Sequence, residues 1–415
     1  MKANTNPIQP NQRIQILDTL RGFAILGILM VNMQIFYKPI SSMMLGGENN
    51  LSTINLMSEF IVKFFFEGKF YILFSFLFGY GFWIFIHKMP NNTDSIIPTY
   101  RRRLLFLLLF GIAHIVLLWA GDILLMYALF GFLLILFRKK NNRSLIKWAI
   151  WLLSIPILLQ LISWGMVTLA SFNPESKDAV YAGIQESTNS IKVLYERAMN
   201  TYANGSFLDI VAIRLKEYNL LLPAILFFYP AVLAMFLVGA WAARNNILKD
   251  YELHIPFFKR AFWWGLSIGV PAGALYFTAW QHGKMNVPNM WSFFNTSMHI
   301  VSGIALCALY VSTIILLIHK GKLKRFASYL APVGRMALTN YLLHSITCTT
   351  LFLSYGFGLF GKPEAWQGIV LTLIIFGLQI PFSHFWLKRF NYGPFEWIWR
   401  TLTYGEIQPF RKTSN

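Results

Sequence analysis

His114 and Asp122 stand eight positions apart in Gly111-Ile-Ala-His114-Ile-Val-Leu-Leu-Trp119-Ala-Gly121-Asp122-Ile-Leu, a stretch that is otherwise almost wholly apolar. A neutral imidazole exchanges a proton near neutral pH, and a carboxylate beside it orients the ring for general-base work. On a continuous helix the two would lie about 80° apart around the axis and about 12 Å apart along it. A turn that folds back around Ala120-Gly121-Asp122 brings them closer. The competing reading is a histidine hydrogen-bonded between helices.

Other polar residues in apolar surroundings are candidates for the same reason: an ionisable group is costly there and is kept for a purpose. Asp18 and Arg21 share one helix face at i and i+3, either as a binding pair or as a helix cap with a basic anchor. Asn32 lies further along the same segment. Phe66-Glu67-Gly68-Lys69-Phe70 places two opposite charges and a glycine within a long apolar run. That pattern predicts a helix break facing a cavity, with Glu67 and Lys69 paired. Asn340, Tyr341 and His344 fall together in a later segment. Arg101, Arg102 and Arg103 form a run suited to phosphates or to anchoring at a membrane surface. His87, His254, His282, His299, His319 and His384 lie near segment ends and read as interfacial anchors. No HExxH, CxxC, GxxxxGK[ST] or GxSxG motif is present, and no ligand spacing points to a metal.

The elements that hold these residues follow from composition. Hydrophobic residues make up 56% of the 415 positions and charged residues 13%, with a mean hydropathy of +0.51. Soluble domains carry about 25% charge, so the chain reads as an integral membrane protein built of helices, in contact with the lipid bilayer. Ten apolar stretches are long enough to be spans. They fall at about 16–36, 57–87, 104–119, 122–137, 148–170, 220–243, 262–280, 297–318, 336–358 and 367–387, the third and fourth forming a tight hairpin. The first is too long for a signal-peptide core and has no small-residue cleavage site after it. With the N-terminus inside, the inside segments hold 25 Lys and Arg and the short outside loops three, Lys38, Lys284 and Lys362. That asymmetry predicts cytoplasmic termini and an even number of spans. It also accounts for most of the net charge of +19 without any nucleic acid. The expected fold class is therefore an all-α, polytopic helical bundle of about ten transmembrane helices, a single integral membrane domain over 1–415. An extracytoplasmic loop at 171–219 would carry two short helices, at 190–200 and 207–218, and a cytoplasmic juxtamembrane tail would cover 391–415. Cys307 and Cys348 both sit in apolar sequence and read as buried free thiols.

Several segments together resemble the YeiB-like bacterial membrane family, known as domain of unknown function 418. They are Leu17-Asp18-Thr-Leu-Arg21-Gly22, Lys69-Phe-Tyr-Ile-Leu-Phe-Ser-Phe-Leu-Phe-Gly79, Gly111…His114…Gly121-Asp122, Gly334-Arg335-Met-Ala-Leu-Thr-Asn340-Tyr341 and Gly393-Pro-Phe-Glu396-Trp397-Ile-Trp399-Arg400. The family is similar to a broader group of transmembrane acyltransferases. The resemblance implies a bacterial plasma-membrane protein, no permanently bound cofactor, acyl-CoA as the donor substrate, and an envelope glycan or lipid-linked acceptor. In the acyltransferase-3 branch a Leu-Asp-x-x-Arg opening is followed in the same span by a catalytic histidine. Asn32 occupies that place here, and an amide cannot take up a proton in that role. His114, oriented by Asp122, is then the expected base. Asn32 or Asn340 would donate to an oxyanion, and Arg21 with Arg101–Arg103 would attract the donor's phosphates. The alternatives are a small-solute transporter using Glu67, Lys69 and His114, and a non-catalytic sensor or assembly factor.

Overall fold

The structure is a computed structural model that describes residues 14–46, 51–87, 93–283 and 287–412. Lys2, Arg13, Lys88 and Lys284, which counted toward orientation, lie outside those residues. The described chain is helical, with one isolated antiparallel bridge between Phe390 and Arg411 and no strand among the described residues. Each of the ten apolar stretches coincides with helix.

Among the described residues, five helical segments are long and apolar enough to cross a bilayer: Gln15–Phe36, Thr53–Ile86, Asn142–Ala170, Met290–His319 and Ala365–Arg389. Much apolar surface faces outward, including Leu105, Leu109 and Ile112 on one helix and Ile150, Leu158 and Ile162 on another. An exposed face of that kind is stable when its solvent is lipid. The protein is accordingly a membrane protein.

Helix α1 (Gln15–Phe36) packs against four others: α4 (Lys69–Ile86), α13 (Lys324–Arg335), α14 (Ala337–Phe352) and α15 (Ala365–Arg389). Two glycines permit the closest of these contacts. A Cβ at Gly334 would sit 1.8 Å from the Asp18 carbonyl oxygen, and one at Gly22 would sit 2.2 Å from that of Leu330, so α1 and α13 touch backbone to backbone. Around this centre α11 (Ile255–His282) and α12 (Met290–His319) pair, and α10 (Ile225–Arg244) packs on α4 and on α7 (Asn142–Ala170). The free thiols of Cys307 and Cys348 are buried in this packing.

The expected break at Glu67-Gly68 is present. Helix α3 (Thr53–Ile61) runs into a π-helical turn, Val62–Phe66, and the chain restarts as α4 after Gly68 at φ +87°. The region 171–219 differs from expectation. Instead of a short helix at 190–200, α8 spans Pro174–Asn204, 31 residues capped by the Asn173 side chain. Only Ile191, Ala198 and Tyr202 are buried along it, so its early turns show no apolar periodicity from which to read a helix. Helix α9 (Phe207–Leu221) follows Gly205 and starts with a Ser206–Asp209 capping box. After α15 the chain folds back through α16 (Pro394–Tyr404), which packs on α5 (Ile97–Leu117) and α14.

Candidate functional site

The hairpin of α5 and α6 (Leu124–Leu134) positions the first two site residues. Gly111 on α5 faces Leu125 of α6, where a Cβ would come within 2.4 Å of the Leu125 nitrogen. The helices therefore meet closely and the turn between them is short. Leu118 and Trp119 both donate backbone hydrogen bonds to the His114 carbonyl, closing α5. The Asp122 carboxylate then returns over the last turn of α5. Its Oδ2 lies 2.9 Å from His114 Nδ1, and both side chains are fully buried. The approach is short but lies off the line of the ring N–H, and neither atom has another hydrogen-bond partner. The second oxygen, Oδ1, accepts from the Leu125 backbone at 2.7 Å. Asp122 thus caps the first turn of α6 with one oxygen and stands beside the imidazole with the other.

The other face of the ring meets α14. His114 Nε2 lies 2.7 Å from Ser345 Oγ, and the Tyr341 ring stands 5.3 Å from the imidazole. Asp122, His114 and Ser345 form one continuous polar line in an apolar interior, with Ser345 0% exposed. An acid, an imidazole and a hydroxyl in that order can strip a proton from the hydroxyl.

A cavity of about 320 Å³ has Ile123, Leu124 and Tyr341, neighbours of this line, among its lining residues, while Asp122, His114 and Ser345 themselves do not line it. Arg21, Arg103, Arg335 and Arg400 line it as well, contributed by α1, α5, α13 and α16. Arg21 is paired with Asp18 at 2.8 Å. The Arg103 guanidinium lies 3.8 Å from the centre of the Trp399 ring. Arg335 Nε is buried without a hydrogen-bond partner. The carboxylates on the lining are Asp18 and Glu396, and Glu396 is engaged by the Thr339 backbone and hydroxyl at the start of α14. Burial pushes the Glu396 carboxyl above its usual range, against the pull of those hydrogen bonds. The lining carries more positive than negative charge, which suits an anionic ligand.

Several expected residues are disposed otherwise. Arg101 and Arg102 are exposed and do not line the cavity. Arg102 Nε instead donates to the Leu402 carbonyl at 2.7 Å. Both amide hydrogens of Asn340 are used, on the Val333 carbonyl and Ser383, so it has none to offer an oxyanion. His344 points to α15, with Nε2 2.8 Å from Gln379 Oε1, while the adjacent Ser345 points to α5. Asn32 is half-buried on α1. Glu67 does not take Lys69 as its ion-pair partner. It pairs with Lys63 at 2.7 Å across the π turn, at the i,i+4 spacing that puts two residues on one helix face. The Lys69 ammonium donates to the Lys63 carbonyl at 3.0 Å. His299 is buried, not interfacial, stacking on Tyr71 and lying against Gly68. Ser345, Arg335, Arg400 and Lys63 escaped the sequence reading as site residues. Arg335 and Arg400 lie within recognised motifs, and Ser345 follows His344 directly.

The model of the family described as "Protein of unknown function (DUF418)" matches residues 242–406. "Uncharacterized protein YxaH" of Bacillus subtilis (strain 168) is 36% identical over a 429-residue alignment covering 99% of each chain. "Uncharacterized protein YeiB" of Escherichia coli (strain K12) is 30% identical, over 97% of this chain and 100% of its own. A 39.9 kDa protein encoded in the amylase 3' region of Bacillus acidopullulyticus is 27% identical over 97% of both. No solved structure matches.

Proposed function

The chain belongs to the YeiB-like DUF418 family, and from that premise we propose that it is a plasma-membrane acyltransferase of ten spans with both termini cytoplasmic. It takes an acyl group from an acyl-CoA-like donor in the cytosol and delivers it to an envelope glycan or lipid-linked acceptor. The observation that carries this reading is the Asp122–His114–Ser345 line standing beside an arginine-lined cavity. Arg21, Arg103, Arg335 and Arg400 receive the donor's phosphates, and the apolar walls take its thioester arm. A volume near 320 Å³ is at the low end for small-molecule sites, about 300–1,000 Å³. That favours a short acyl group, with the nucleotide held at the arginines. Asp122 holds the His114 ring while Nε2 takes up the hydroxyl proton, an effect that contributes roughly 100- to 10,000-fold to a rate.

The test is acyl-CoA binding by the purified protein with slow release of free CoA thiol. Binding and release support the reading. Their absence, together with uptake of a solute into liposomes bearing the protein, would replace it with transport. That rival rests on the half-buried Lys63–Glu67 pair and the π turn beside His299, since charges within an apolar segment also mark solute pathways.

A further inference from the structure

Tyr341, Ser345 and Thr349 follow one another at intervals of four on α14, and so share one face of that helix. Tyr341 lines the arginine cavity. Thr349 lines a closed crevice of about 10 Å³, room for no more than a water, with Leu118, Trp119, Arg214 and Glu217, the last two from α9. Ser345 stands between these two spaces, about 6 Å along the axis from each neighbour, with its hydroxyl on His114 Nε2. No free path joins the two sides through it, because Ser345 and His114 are buried.

We propose that Ser345 is the nucleophile that carries the acyl group from one side to the other. The proposal rests on the acyl-transfer reading above. In the first half-reaction the Ser345 Oγ attacks the thioester carbonyl of the donor. The Oγ–C bond forms as the C–S bond breaks, and the serine proton passes through His114 Nε2 to the departing thiolate, which leaves as a thiol on the arginine side. In the second half-reaction an acceptor hydroxyl, admitted when Leu118, Trp119 and Thr349 part to open the crevice, attacks the Ser345 ester. Its proton goes to His114, the ester C–Oγ bond breaks, and Ser345 regains a proton from the imidazolium. Donor and acceptor need never be bound together, which suits substrates kept on opposite faces of a membrane. Tyr341 is the residue that must yield for the thioester to enter. Its hydroxyl donates to the Gly121 carbonyl at a long 3.4 Å and also meets the Ile123 backbone.

The experiment uses the full-length protein in nanodiscs, with acetyl-CoA and palmitoyl-CoA each radiolabelled at the acyl carbonyl. The expected result is label on the peptide containing Ser345, stable to neutral hydroxylamine and released by alkaline hydroxylamine, as an oxygen ester is. Ser345→Ala should still bind the donor yet lose the label, with CoA release slowed about 1,000-fold or more. Ser345→Cys should take label that neutral hydroxylamine removes, as expected of a thioester, and so shows a folded site whatever the fate of the alanine variant. Label found on His114, or CoA release by Ser345→Ala at the wild-type rate, overturns the serine carrier while leaving acyl transfer standing. A wild-type protein that neither binds the donor nor releases CoA removes the acyl-transfer reading and this proposal with it.

Discussion

His114 and Asp122, eight residues apart in sequence, meet at 2.9 Å because the chain reverses between them and the Asp122 carboxylate folds back over the last turn of α5. The same carboxylate starts α6 through the Leu125 backbone. Asp122→Asn keeps a capping oxygen and removes the charge that favours an imidazolium. It should fold normally and lose most transfer activity. His114→Gln should match it, with a loss of roughly 100- to 10,000-fold at unchanged melting temperature. Retained transfer in either variant would assign the pair to helix packing alone.

The arginines separate by location. Arg335→Gln and Arg400→Gln should each weaken donor binding by about tenfold or more, since charge-assisted hydrogen bonds contribute about 1.5–3 kcal/mol. The loss should appear in KM more than in kcat. Arg101→Gln, on an exposed residue off the cavity lining, should change neither. Equal effects at all three positions would indicate diffuse surface attraction rather than a site.

Lys63 and Glu67 answer to each other. Lys63→Met and Glu67→Gln should each destabilise the protein, by about 1 kcal/mol or more, because each leaves a half-buried charge without its partner. The double variant should recover part of that loss. Lys69→Met combined with Glu67→Gln should show no such recovery. Thermal unfolding in detergent reads all of these, and additive losses for the 63/67 pair would deny the coupling.

Reporter fusions check the arrangement in the membrane. Those placed after Lys140, Lys249 and Lys322 and at the C-terminus should report cytoplasmic, and those within 175–205 should report the opposite side. A reversal at any one of the four sites would remove the ten-span arrangement.

The sequence made the helices legible wherever lipid-facing and buried residues alike were apolar, as in α1 and α12, because length and hydropathy decide there. It revealed the break at Gly68 because a charge pair and a glycine interrupt a long apolar run. It did not reveal the partner of Glu67. Lys63 at i−4 faces Glu67 on a helix and Lys69 at i+2 does not, but the opposite charges flanking Gly68 drew attention to the wrong partner. Helix α8 was largely hidden because an exposed polar helix has no periodic apolar stripe. The His114–Asp122 pair was readable from spacing and a turn. Ser345 was not, since its place beside His114 depends on how α14 packs across 231 residues of chain, and His344 next to it looked the stronger candidate.

The cavity and the crevice approach within about two helical turns of each other along the Tyr341–Ser345–Thr349 face. One turnover of the proposed cycle takes a proton from the acceptor hydroxyl and leaves one on the donor's thiol while the acyl group passes the other way, so each side keeps the charge it began with. The exchange is electroneutral, and the voltage of an energised membrane neither drives nor opposes it. Proteoliposomes clamped with a potassium gradient and valinomycin would read this directly: the transfer rate should be indifferent to the sign of the gradient, and a rate that follows the sign would mean that the proton leaves by a route separate from the acyl group.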